Sequence, residues 1–198
     1  RRQRQMCIRD RSGTSPLFIQ TLLEQGYDVQ TFPSATLQNP PFDRIIFGEV
    51  PHLRTETQGA TPFDRDTRLT ADFLQYLDQK PDKPFFAFLF YDLLHAISIP
   101  APHRHKFEPS WEYANYMALN NEMDATPFFN LYRNCGWYVD SLVGSIVGEL
   151  EHKGLLDNSI LVITGDHSQE FNENKKNYWG HGSNYSDAQI HVPFIYYE

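Results

Sequence analysis

The sequence predicts an α/β fold, a parallel-rich sheet flanked by helices, on three observations. Phe85 to Tyr91 is an unbroken apolar run between Pro84 and Asp92, as in a strand covered on both faces. Asp66 to Leu77 carries Leu69, Phe73, Leu74 and Leu77 at helical spacing, and Gly136 to Lys153 repeats the pattern with Val139, Leu142, Val143, Ile146, Val147 and Leu150. The apolar run Ile160 to Ile163 then resumes the alternation of helix and strand that a sheet between helices requires.

Taken in order, residues 1–11 (RRQRQMCIRDR) hold five Arg and one Asp without periodicity. They read as the translation of a sequencing-library adapter and are set aside as a leader foreign to the fold; the alternative is a native basic arm. Residues 12–198 then form part of one domain, truncated at both ends. Ser15-Pro16 opens a helix that Gly26 stops, with Thr14 read as an N-cap. Tyr27 to Phe32 reads as a strand. Asn39 to Pro62, rich in Pro, Thr and Gly, reads as a surface excursion with a short strand at Arg44 to Val50. Asn115 to Phe129 reads as a helix broken near Pro127, Cys135 as a small packed side chain at the start of the next helix, and His191 to Tyr197 as a last strand.

The chain has 198 residues, 40% of them hydrophobic, and a formal charge of -8. Without the leader the balance is 12 Lys+Arg against 24 Asp+Glu, a charge of -12. So acidic a surface excludes nucleic acid as a partner. Cys135 alone cannot form an internal disulfide, and no run reaches the roughly 18 apolar residues that span a bilayer, so any anchor is expected outside this sequence.

The chemistry concentrates between Ile160 and Glu198. The run Ile160 to Ile163 ends in Thr164-Gly165-Asp166-His167, delivering a carboxylate and an imidazole to a strand tip, and His181 follows in Gly180-His181-Gly182. Neighbours in a strand face opposite ways, so Asp166 and His167 converge on one ion only where the backbone leaves the pleat, which Gly165 permits. Carboxylate oxygen with imidazole nitrogen suits zinc, manganese or magnesium better than calcium. The structural alternative is that Asp166 caps a turn and His167 packs. Asp166, His167 and His181 are the expected metal ligands.

The segment GDHSQEF…WGHG resembles the C-terminal metal motif of the alkaline phosphatase superfamily, in the branch of sulfatases and phosphoethanolamine and phosphoglycerol transferases. Tyr138 to Leu156 followed by Asp157-Asn158 resembles that branch's long helix and its entry into the metal strand. FNENKKNYWGHG and FFAFLFYDLLHAISIP bring the chain nearest to the YejM/PbgA family of inner-membrane proteins with a periplasmic sulfatase-like domain. The resemblance implies a partial sulfatase-like fold with a divalent metal. It also implies an anionic phosphate or sulfate ester or envelope lipid as partner, with attachment through N-terminal membrane helices outside the chain, in the inner membrane of a Gram-negative bacterium. The sequence departs from the pattern at Ser168, where Gly is usual, and at Gln169, inserted before Glu170, so Glu170 need not occupy the family's position.

In the same branch a His after the strand matching Phe85 to Tyr91 contacts the substrate's anion. His95 takes that position, and His105 in the following loop is a second candidate. The family nucleophile, a Thr, Ser or formylglycine-forming Cys, is not recognisable and is expected upstream. Three classes stay open: a metal-dependent hydrolase or transferase, an inactive sensor or regulator of envelope lipid such as lipopolysaccharide, and a cytoplasmic α/β binding domain.

Overall fold

Pro16 sits at the N-cap of helix α1 (Leu17–Glu24) in the computed structural model, which describes residues 14–79 and 83–198. The cap is therefore not Thr14. Ser15, one residue on, is buried and exchanges hydrogen bonds with Glu49: its hydroxyl accepts from the Glu49 N–H and its own N–H donates to the carboxylate. The leader at residues 1–11 lies outside the described residues.

Strand β1 (Asp28–Pro33) follows, and helix α2 (Phe42–Ile45) replaces the short strand expected at residues 44–50. A turn of helix lets Phe42, Ile46, Phe47 and Val50 reach one apolar cluster with Ile19, Val29 and Leu37, whereas strand alternation would send them to two faces. Helix α3 (Pro62–Asp78) confirms the helical spacing of Leu69, Phe73 and Leu77, all buried. Its start is doubly fixed, by Pro62 in the first turn and by a capping box between Thr61 and Asp64.

Strand β2 (Phe85–Phe90) pairs parallel with β1, from Asp28 opposite Phe85 to Pro33 opposite Phe90. Phe86, Phe88 and Phe90 pack on the cluster around Ile19 and Phe47, while the Phe85 ring meets Phe73 and Tyr76 of α3 at 6.4 and 5.5 Å. Helices thus cover both faces, as the apolar run requires, although each β2 residue keeps part of its surface. The strand ends are tied to α3. Arg65 donates to the Ser34 carbonyl at 2.8 Å and to the Asp92 carboxylate at 3.0 Å, and buried Asp66 accepts from the Asp92 N–H. This first compact unit ends at Asp92.

The second unit runs from Leu93 to Glu198. Helix α4 (Leu93–Ala96) is followed by single 3-10 turns at Ala101–His103 and Tyr116–Ala118 and then by helix α5 (Thr126–His152). Two expectations change here. Residues 115–129 do not form a helix broken at Pro127; Pro127 lies in the first turn of α5, where a missing N–H costs nothing. Cys135, completely buried, consequently lies within α5 rather than at its start. Asn134, also fully buried, points out of the helix to accept from the Phe107 N–H and to donate to the carbonyls of Arg104 and Phe107. With Asn130, which donates to the Pro109 carbonyl, that amide moors the loop after α4.

A 3-10 turn at Leu156–Asn158 leads into β3 (Leu161–Thr164), β4 (Glu170–Phe171), β5 (Trp179–Gly180), helix α6 (Asp187–Ile190) and β6 (Phe194–Tyr197). β3 pairs antiparallel with β6, and β4 with β5. Within the second unit the expected parallel neighbour of residues 160–164 gives way to an antiparallel one, β6. The chain returns from β3 to β6 without a long crossover helix, and such a connection gives an antiparallel neighbour. The last strand is shorter than residues 191–197 and exposed throughout. No helix among the described residues is long and apolar enough to cross a membrane.

Candidate metal and anion site

Three segments of the second unit bring imidazoles together. His95 stands on α4, His167 follows the tip of β3, and His181 follows β5. The rings of His167 and His181 stack with centroids 4.0 Å apart, and His95 lies 5.1 Å from His181 and 6.3 Å from His167. The turn after β3 is closed by Asp166, whose carboxylate accepts from the His167 N–H at 3.0 Å, and by Thr164, whose hydroxyl donates to the Pro193 carbonyl. The alternative reading of Asp166 as a turn residue is therefore true of its Oδ1, yet its side chain remains 74% exposed and 3.8 Å from His167 Nε2.

His181 is aimed by its hairpin. Glu170 opposes Gly180 and Phe171 opposes Trp179, so residues 169 and 181 face each other just beyond the ladder. The glycines flanking His181 both have left-handed backbone, with φ of 85° and 79°, which a side chain would strain. Phe171, almost fully buried, anchors the hairpin on α5 through ring contacts of 5.1 to 5.3 Å with Phe128, Phe129 and Tyr132. Sequence periodicity could not reveal two-residue strands.

Glu170 has no exposed surface. One carboxylate oxygen accepts from Asn174, and the other from Asn184, Ser186 and Gln189, at 2.7 to 3.0 Å. It serves as the hub of the loop after His181. The signal in the sequence was the supply of amides that follows Glu170, of which Asn174, Asn184 and Gln189 bond the carboxylate. The role of Gln169, whose amide oxygen lies 2.9 Å from His181 Nδ1, had no such signal.

His105 is exposed in the loop after α4 and, among the described residues, makes no hydrogen bond or ring contact with the other three histidines. His103 instead packs its ring at 5.0 Å on Tyr138. Asp140 is exposed on α5.

The donors suit a divalent ion in kind. Two bonds of roughly 2.0–2.2 Å to a shared ion can span the 3.8 Å between Asp166 and His167 Nε2. They do not form a ready-made shell: among the described residues no group of three or more His, Cys, Asp or Glu side chains is placed to hold a metal. Partial desolvation, then the neighbouring His167 and His95, pull the His181 pKa below its ordinary 6.5, with Asp166 opposing. The folded chain therefore binds a proton at His181 less readily than the unfolded chain, so this group's contribution to stability falls as pH drops through 6.5. An NMR titration is expected to give His181 a midpoint below that of an exposed histidine, and His167→Ala is expected to raise it. An unchanged midpoint in the variant would mean the rings do not interact.

A profile of the sulfatase family matches residues 5–198, a span that begins inside the segment set aside as a leader. No curated protein matches the chain. In fold it is similar to the C-terminal periplasmic domain of EcEptC from Escherichia coli, solved in complex with Zn (TM-score 0.62, 16% identity, 93% of this chain and 52% of that one). It is similar also to the soluble domain of lipooligosaccharide phosphoethanolamine transferase A from Neisseria meningitidis (0.61, 18%, 89% and 52%). A third likeness is to the phosphonate monoester hydrolase of Agrobacterium radiobacter (0.60, 16%, 86% and 50%). The chain thus spans about half the length of the structures it matches. With a profile match over nearly its whole length, the chain belongs to the sulfatase family.

Proposed function

We propose that this chain is part of a metal-dependent hydrolase or transferase of phosphate or sulfate esters, the periplasmic domain of an inner-membrane protein of the YejM/PbgA kind, acting on an envelope lipid or glycan. The observation that carries the reading is the meeting of His95, His167 and His181 from three separate segments, with Asp166 beside them. Asp166, His167 and His181 are assigned as ligands to zinc, manganese or magnesium. Such an ion, when bound, activates a nucleophile and stabilises negative charge on a phosphoryl or sulfuryl oxygen. His95, on the third side of the cluster, is assigned to the substrate's anionic oxygens or to the leaving group's proton. The structural likeness to a phosphoethanolamine transferase and to a domain solved with Zn supports the assignment. A second reading, an inactive sensor of envelope lipid, is favoured by the motif's departures at Ser168 and Gln169.

Calorimetric titration of zinc into the 198-residue chain tests the ligand assignment. Binding is expected, weakened by about 10-fold or more in Asp166→Asn and in His181→Ala. If zinc, manganese and magnesium all fail to bind, or if the variants bind as well as the parent sequence, the assignment is wrong.

A further inference from the structure

We infer that Gln169 is a positioning residue that sets the tautomer of His181, so that this imidazole and that of His167 both present an unprotonated Nε2. The inference rests on the metal reading for its purpose but not for its chemistry. Gln169 is 7% exposed and lies opposite His181 by the register of the β4–β5 hairpin. Its amide oxygen is 2.9 Å from His181 Nδ1. With its amide oxygen turned to the ring Gln169 only accepts, and in that orientation Nδ1 carries the hydrogen and the lone pair of the neutral ring lies on Nε2. His167 reaches the same state by another route. Its Nδ1 lies 3.1 Å from the Ser168 carbonyl, which likewise can only accept.

Of the two residues where the motif departs from its family, Gln169 supplies an acceptor with its side chain, whereas the acceptor at Ser168 is the main-chain carbonyl that any residue there would offer. A histidine in water favours the opposite tautomer, with hydrogen on Nε2, so the hairpin imposes a state that the free side chain populates poorly. A ligand nitrogen must be unprotonated, and an acceptor on the far nitrogen both fixes the ring and raises its basicity. The inserted Gln thus has a role of its own, and the register of the β4–β5 hairpin keeps the His181 ring within its reach.

The test is nitrogen NMR of the histidine rings in the metal-free 198-residue chain, followed by zinc titration. In the unaltered chain, His181 is expected to show a protonated Nδ1 and an unprotonated Nε2. In Gln169→Leu the ring is expected to revert toward the Nε2–H form, with zinc affinity lower by about 10 to 100-fold. Gln169→Glu, which keeps an acceptor, is expected to retain the Nδ1–H form and to restore affinity. A protonated Nε2 on His181 in the unaltered chain overturns the proposal, even if Gln169→Leu fails to fold. So does a Gln169→Leu variant with the same tautomer and affinity. If the tautomer follows Gln169 as expected and no form of the chain binds zinc, the positioning role stands and the metal reading fails.

Discussion

Glu170→Leu is expected to destabilise the second unit by about 2–4 kcal/mol, because the substitution removes the shared acceptor of four donors, of which Gln189 is buried and the others are partly or fully exposed. Asn184, Ser186 and Gln189 converge on one carboxylate oxygen and Asn174 donates to the other. Gln189 in turn donates to the Ser183 hydroxyl, so the loss spreads along the loop after His181. Glu170→Gln separates charge from shape. An amide can keep its oxygen toward the three donors but must turn its NH2 group on Asn174, so a smaller loss of about 1–3 kcal/mol is expected. Urea unfolding followed by circular dichroism measures both. A cost below about 1 kcal/mol for Glu170→Leu would show that the loop is held by something else, with Phe171 and its aromatic neighbours the first alternative.

The parts of this fold that periodicity dictates were legible. Leu69, Phe73 and Leu77 marked α3, the run ending at Phe90 marked a strand between helices, and Ile163 followed by Gly165 marked a strand tip. Where the local signal was ambiguous, packing decided. Phe47 and Val50 suggested a strand but serve a core reached through a helical turn. Pro127, read as a break, opens a 27-residue helix, because the same missing N–H that interrupts a helix interior is harmless in its first turn. The sheet partner of β3 was not legible, since ladder partners depend on how the chain returns. Within the site, motif and spacing pointed to His95, His167 and His181, which the structure brings together, and to His105, which it does not. Gln169 was not legible, because a hairpin of two-residue strands leaves no periodic trace and its register alone puts Gln169 opposite His181.

His167→Ala in the full-length parent protein is expected to lower kcat/KM for phosphate or sulfate esters by at least about 10²–10³-fold, with zinc, manganese or magnesium supplied. His167 occupies the centre of the proposed site. Its Nε2 is 3.8 Å from Asp166 and its ring lies on that of His181, so the substitution removes one nitrogen donor and the support of a second. His95→Ala is expected to act differently, raising KM, because its ring borders the cluster from α4 and is assigned to the substrate rather than to the metal. The 198-residue chain spans about half of its structural neighbours, and the nucleophile is expected in the remainder; alone it is expected to turn over none of these esters even where it binds zinc. Circular dichroism on each variant separates lost chemistry from lost fold. A parent protein that binds lipid, turns over no ester with any of the three metals and is indifferent to His167→Ala would be the sensor of the second reading, its histidine cluster a relic of the fold.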